Sequence, residues 1–289
     1  MAAHVIDGIS LASRIKSEVA QGVRQLQARA KAAHLTAILV GSTPAGQLYA
    51  QRQGEACAAM GIGYELRTFE PAVTQRELKT EIRRLNKDPA VTGIMMHLPL
   101  PAHLDRARLQ YEIDVVKDVE GVNPANLGYV LYGRTLIAPC TALAVLELIR
   151  STGVELRGAE AVVVGASEIV GKPVALLLAE QMATVTVCHI ATRDVPAHTR
   201  RADVLVVAVG SAGLITAEHV RDGAVVIDVG INRVTCADGT KKTVGDVDFA
   251  SVSAKAGWIT PVPGGVGPMT VAMLLRNTLR GAQILAEQA

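Results

Sequence analysis

Residues 161–190, AVVVGASEIVGKPVALLLAEQMATVTVCHI, limit this chain more than any other stretch. Ala161 to Val164 is a run of apolar residues that reads as a buried strand, and Gly165 and Gly171 bracket a polar turn. The apolar segment from Val174 to Leu178 reads as a helix, and Thr184 to Cys188 as a second strand. Strand, tight turn, helix and strand in that order form a parallel βαβ unit, the usual device for holding a dinucleotide. The spacing Gly-x-Ser-x-x-x-Gly-x-Pro lacks the middle glycine of the Gly-x-Gly-x-x-Gly fingerprint, so by spacing alone a βαβ unit without a cofactor is an equal reading.

The same alternation continues downstream. Val204 to Val209 and Val225 to Val229 are further apolar runs, continuous rather than alternating, as in a parallel sheet covered on both faces. Thr141 to Arg150 reads as a helix behind a threonine cap, and a last helix is expected from Val271 to about Leu285. Upstream, Leu11, Ile15, Val19, Val23 and Leu26 recur at spacings of three and four, which predicts an amphipathic helix over Ser10 to Arg29 capped by Ser10. Leu35 to Val40, Tyr64 to Phe69 and Gly93 to Met96 read as strands. Gln47 to Met60, stopped by Gly61, and Gln75 to Leu85, capped by Thr74 with Glu77, read as helices. Asp114 to Asn126 reads as a polar loop. The change of pattern places a domain boundary near residue 140.

A chain of 289 residues can bury two cores. With 29 basic against 27 acidic residues and only 3% aromatics, neither a nucleic-acid groove nor an anionic membrane surface is indicated. Cys57, Cys140, Cys188 and Cys236 are widely spaced and form no Cys-x-x-Cys pair, so buried reduced thiols are expected rather than a zinc site or a disulfide framework. Neither a signal segment nor a membrane-length apolar run is present, which points to the cytoplasm.

Two rigid Gly/Pro clusters, HLPLP at 97–101 and PVPGGVGPMT at 261–270, are each a tight turn or a ligand loop. VIDVGIN at 226–232 ends a strand at the sheet edge where open α/β sheets bind ligands. Together with ELKTEIRRLNKDPAVTGIMMHLPLP (77–101), KDVEGVNPAN (117–126) and VVVGASEIVGKP (162–173), these segments resemble the methylenetetrahydrofolate dehydrogenase/cyclohydrolase (FolD) family over nearly the full length.

The resemblance implies a two-domain α/β protein with its active site in the interdomain cleft. Residues 1–140 with 271–289 would form an α/β folate-binding catalytic domain, and residues 141–270 a Rossmann-type NAD(P)-binding domain with a doubly wound parallel sheet. It implies oxidation of 5,10-methylenetetrahydrofolate to the 5,10-methenyl form, then hydrolysis to 10-formyltetrahydrofolate, with NADP or NAD as cofactor and a homodimer as the assembly. Tyr49, Gln53, His97 and Glu120 fall at the catalytic positions. Tyr49, His97, Leu98, Pro99, Glu120, Pro263, Gly264, Gly265, Val266 and Gly267 fall at folate positions. Thr141, Gly165, Ala166, Ser167, Ile169, His189, Ile190, Gly210 and Ile231 fall at cofactor positions.

Several of these positions depart from the family pattern. The family has lysine four residues after the tyrosine, where this chain has Gln53, and no lysine lies between Lys31 and Lys79. Arg52 stays charged and lies off the Tyr49 face, so it is no substitute. The family's Gln-Leu-Pro is His97-Leu98-Pro99, and its Asp-Val-Asp-Gly is Asp118-Val119-Glu120-Gly121. Hydride loss from a carbon between two nitrogens needs positioning and no base, whereas hydrolysis must deprotonate water and protonate a departing nitrogen. Glutamine cannot titrate, so a dehydrogenase with weak or missing cyclohydrolase is expected.

One alternative is a bifunctional enzyme with His97 as replacement base, against His97 merely hydrogen-bonding Gln53 or folate. Another is a folate- or dinucleotide-binding protein without turnover. Glu120 either accepts from the pterin amino group or is an exposed loop carboxylate near Lys117. In the cofactor turn the family's Gly-Arg-Ser is Gly165-Ala166-Ser167, and its basic turn after the second strand is His189-Ile190-Ala191-Thr192, with Arg193 nearby. No acid ends that strand to grip a free 2′-hydroxyl, which leaves the choice between NADP and NAD open.

Overall fold

A computed structural model describes residues 2–41, 43–235 and 239–288. In chain order the elements begin β1 (His4–Val5), α1 (Gly8–Gln27), β2 (His34–Val40), α2 (Pro44–Met60), β3 (Gly63–Phe69), α3 (Gln75–Lys87) and β4 (Gly93–Met96). Next come α4 (Arg106–Gln110), α5 (Pro124–Leu131), α6 (Cys140–Ser151), β5 (Glu160–Val164), α7 (Gly171–Glu180) and β6 (Thr184–Cys188). The chain closes with α8 (Val195–Thr199), β7 (Val204–Val207), β8 (Val225–Asp228), β9 (Asn232–Thr235), β10 (Lys241–Val244), α9 (Phe249–Ser253), β11 (Trp258–Ile259) and α10 (Val266–Gln288).

The chain forms two compact units. The first takes the chain up to Ser13 together with Thr141–Met273, and the second takes Arg14–Cys140 and the chain from Leu274 onward. Residues before Arg14, expected with the folate domain, thus belong to the first unit. The cause is backbone pairing: β1 lies parallel to β11, with His4 opposite Trp258 and Val5 opposite Ile259.

The first unit is built on a six-stranded parallel sheet in the order β1-β11-β8-β7-β5-β6. Its inner strands β5, β7 and β8 are apolar on both faces, and Val162, Val164, Leu205, Val207, Val226 and Ile259 share one buried cluster. Strand β5 pairs with β6 on one side and β7 on the other, so the order reverses there. This reversal opens the crevice at the carboxyl ends of β5 and β7. The runs expected to reach Val209 and Val229 stop at Val207 and Asp228, because the residues beyond turn into loops held by carboxylates. A β9–β10 hairpin stands apart from the main sheet.

The second unit has a three-stranded parallel sheet, β3-β2-β4. Ile38, Ile82, Leu85, Ile94 and Met96 fill the core between this sheet and α3, each side chain contributing about 1.5–3 kcal/mol by burial. The capping box at Thr74 and Glu77 starts α3 as expected. Gly61, with φ 76, ends α2. Helix α1 starts before the expected Ser10, because Asp7 accepts from the amides of Ile9 and Ser10 and takes the capping role. Thr43 similarly starts α2 at Pro44 by accepting from the Gly46 amide.

The polar segment 114–126 is not a solvated loop. Lys117, Asp118, Asn123 and Asn126 are buried. The Lys117 ammonium donates to the carbonyls of Leu85, Asn86 and Asp88 at the carboxyl end of α3. Helix α10 begins at Val266, so Val266 and Gly267 form its first turn rather than part of a preceding loop. Thr141 sits inside α6, not at its cap. Cys57, Cys140 and Cys188 are buried free thiols, and Cys236 lies outside the described residues. Among the described residues no helix is long and apolar enough to cross a membrane, and no cluster of His, Cys, Asp or Glu could hold a metal.

Candidate functional site

In the second unit the parallel register sets the site. Strand β4 lies beside β2 with Met96 opposite Ile38, and the His97 amide donates to the Ile38 carbonyl at 2.8 Å. The sheet therefore delivers His97 at its carboxyl edge. The chain at 117–120 runs alongside β4, with Ile94 donating to the Lys117 carbonyl at 2.7 Å. This brings the Glu120 carboxylate to the Met96 amide at 3.4 Å.

Tyr49 and Gln53 stand one turn apart on α2. The rings of Tyr49 and His97 meet edge to face, centroids 5.6 Å apart. Gln53 is buried: its amide nitrogen donates to the Met95 sulfur at 2.8 Å, and its oxygen accepts from the Tyr64 hydroxyl at 3.4 Å. Gln53 is thus spoken for by groups other than His97. The His97 ring is buried and its Nε2 has no partner.

The electrostatics follow from desolvation. It lowers the His97 pKa, which favours a neutral imidazole. Burial, then the neighbouring Asp118, pushes the Glu120 carboxyl up to about 7. The Tyr49 hydroxyl is also raised, by desolvation first and Glu120 second. Glu120 is partly buried, and Lys117 is engaged at the end of α3, so the exposed carboxylate beside Lys117 is not what the structure contains. Leu98 and Pro99 follow in an exposed cis turn.

In the first unit Gly165 follows β5 with φ 121, and a β-carbon there would lie 2.2 Å from the Ala208 carbonyl oxygen. Glycine is therefore required where the turn crosses the crevice. The Ser167 hydroxyl accepts from the Val170 amide at 3.2 Å and orders the entry to α7. Ala166 and Ile169 lie in the same turn, while Gly210 follows β7 and Ile231 follows β8. Ile190 is fully exposed and Ile231 is 70% exposed. Apolar side chains held open at strand ends, beside a glycine-limited turn, fit the flat rings and pyrophosphate of a dinucleotide. The imidazole of His189 accepts from the Ala191 amide at 3.2 Å, and Asp194 caps α8 by accepting from Ala197 at 3.0 Å. Pro263, Gly264 and Gly265 lie in this unit, in a turn with a cis Val262–Pro263 bond.

The sequence reading missed the groups that hold these residues. Tyr64 and Met95 fix Gln53, and Asp228 and Asp246 fix the loops after β7 and β8. Asp228 stood within VIDVGIN and was readable as a motif position, but nothing local marks Asp246 as its partner.

Two family models match the chain, one on each side of residue 130. The family model "Tetrahydrofolate dehydrogenase/cyclohydrolase, catalytic domain" matches residues 6–120, and that of the "NAD(P)-binding domain" matches residues 139–286. The Bifunctional protein FolD of Moorella thermoacetica is 48% identical over 283 residues, covering 98% of this chain and all of that protein. The crystal structure of the bifunctional enzyme FolD from Campylobacter jejuni superposes with a TM-score of 0.92 at 42% identity, covering 98% of this chain and 99% of the other. The Trypanosoma brucei methylenetetrahydrofolate dehydrogenase-cyclohydrolase, complexed with NADP cofactor and inhibitor, gives a TM-score of 0.92 at 40% identity with full coverage of both chains.

Proposed function

The chain belongs to the tetrahydrofolate dehydrogenase/cyclohydrolase family, and from that membership we propose that it oxidises 5,10-methylenetetrahydrofolate with NADP and hydrolyses the methenyl product to 10-formyltetrahydrofolate. The observation that carries this reading is the convergence of Tyr49, His97 and Glu120 at one sheet edge, where Nε2 of a buried imidazole is left without a partner. The bifunctional relatives support retention of both steps.

The dinucleotide, when bound, supplies a hydride acceptor. For that step the chain's task is positioning, with Tyr49 against the folate and Glu120 accepting from the pterin amino group. For hydrolysis His97 takes a proton from the attacking water, since desolvation keeps it neutral. The imidazolium so formed can return that proton to the departing nitrogen. In this reading His97 replaces the family lysine.

A second reading, dehydrogenase alone, is favoured by Gln53: it cannot titrate, and its amide is committed to Met95 and Tyr64. One experiment separates the two. Methylenetetrahydrofolate with NADP or NAD should reduce the cofactor, and failure with both sinks the dehydrogenase in either form. Decay of the methenyl chromophore above the buffer rate supports both steps, and decay at the buffer rate leaves the dehydrogenase alone. NADP is preferred over NAD on the strength of the NAD(P)-binding family model and of the NADP complex of a relative 40% identical to this chain. A homodimer and a cytoplasmic location complete the reading on the strength of the resemblance, and sedimentation tests the former.

A further inference from the structure

Beyond the residues that face a ligand, the first unit contains two buried carboxylates whose hydrogen bonds join the loops after β7 and β8 to the segment after β10. Asp246 accepts from the amides of Val209 at 2.7 Å, Gly210 at 2.9 Å and Ser211 at 2.9 Å, and from the Asn232 side chain at 2.8 Å. Successive amides converging on one anion form a nest, the arrangement by which backbone holds a phosphate. Here the protein fills the nest with its own carboxylate.

Asp228 anchors Asp246 in turn. It accepts from the amides of Gly230 at 2.9 Å, Asp246 at 2.9 Å and Val247 at 3.0 Å. The approach is so close that side chains are excluded around it. A β-carbon at Gly245 would lie 1.7 Å from an Asp228 oxygen, and one at Gly230 would lie 2.3 Å from the Asp246 carboxyl. The pair therefore ties the loop after β7, the loop after β8 and the end of β10 into one piece. Two of those loops carry Gly210 and Ile231.

We propose that Asp246 is a positioning residue for dinucleotide binding, holding the loops at Val209–Ser211 and Gly230–Asn232 in the conformation that receives the cofactor. This rests on the reading that the first unit binds NADP. A buried carboxylate satisfied by four donors gives a rigid edge without a ligand present. Replacing one of its oxygens by an amide nitrogen turns a donor toward donors and frees the loop while leaving the sheet in place.

The test is Asp246→Asn, with Asn232→Ala as a milder variant should the first fail to fold. NADP binding to the intact protein is measured by fluorescence titration, 5,10-methylenetetrahydrofolate binding by calorimetry without dinucleotide, and amide exchange at residues 206–211 by mass spectrometry. The expected result is NADP binding weakened about tenfold or more in Asp246→Asn and less in Asn232→Ala. Folate binding should be unchanged, and exchange faster at 209–211 but not at 206–207. A folded variant with accelerated exchange and wild-type NADP affinity overturns the proposal, as does unaltered exchange. If Asp246→Asn does not fold, the same criteria applied to Asn232→Ala decide. Wild-type protein that binds no NADP removes the functional reading itself, a failure distinct from that of the variants.

Discussion

The ring of His97 stands perpendicular to that of Tyr49 with centroids 5.6 Å apart, and its Nε2 is buried without a partner. A base held against the residue proposed to orient folate should matter for hydrolysis and little for hydride loss. His97→Gln, which restores the residue type usual in the family, should lower methenyl hydrolysis by about 100-fold or more while dehydrogenase turnover stays within a few-fold. Parallel measurement of methenyl decay and cofactor reduction checks this. Equal loss of both steps would show that His97 positions substrate rather than moving a proton.

Gln53 occupies a desolvated niche between Met95 and Tyr64. A lysine placed there would have its pKa lowered by burial, toward the range where an amine acts as a base. Gln53→Lys should therefore raise the hydrolysis rate about tenfold or more in stopped-flow assays, with cofactor reduction little changed. A variant that folds yet hydrolyses no faster would show that the niche alone does not make the base.

Glu120 carries a pH dependence whose sign follows from its raised value of about 7. Below that pH the carboxyl is protonated and accepts poorly from the pterin amino group, so the folate KM should fall as pH rises from about 6 to about 8. Glu120→Gln should flatten that profile. Stability runs the opposite way. A folded pKa above the ordinary 4.5 gives a contribution present below 4.5 and lost as pH rises through about 7. Thermal melts across that window should show a smaller decline in the variant.

Lys117 is a buried cation whose donors are taken by carbonyls at the end of α3. Lys117→Met removes these bonds and the charge that opposes the negative end of the helix dipole. The cost should be about 2–4 kcal/mol in denaturant unfolding. A loss under about 0.5 kcal/mol would mean that water replaces the ammonium without penalty.

The inner parallel strands of both units were readable because both-face burial leaves continuous apolar runs, as at Ala161 to Val164. Helix α3 was readable from its local capping pair. By contrast β1 and β11 are two residues each, and only their pairing with each other and with β8 makes them strands. The buried loop at 114–126 misled for a similar reason, since polarity marks it as solvated while its partners lie far off in sequence. At the site, motif positions identified Tyr49, His97 and Glu120. Their pKa directions and the commitment of Gln53 to Met95 depend on long-range packing that no local pattern encodes.

Asn277, on α10, donates to the carbonyls of Val119 at 2.9 Å and Ala138 at 2.9 Å. The second unit is thus closed by residues more than a hundred positions downstream of the segments they hold. On a ribosome, which releases the chain from its beginning, the first unit can gather its later strands while the second still waits for its last helix. Translation that stops short of Leu274 should leave the earlier-made half unfinished, a target for chaperones and proteases even though most of its residues are already present.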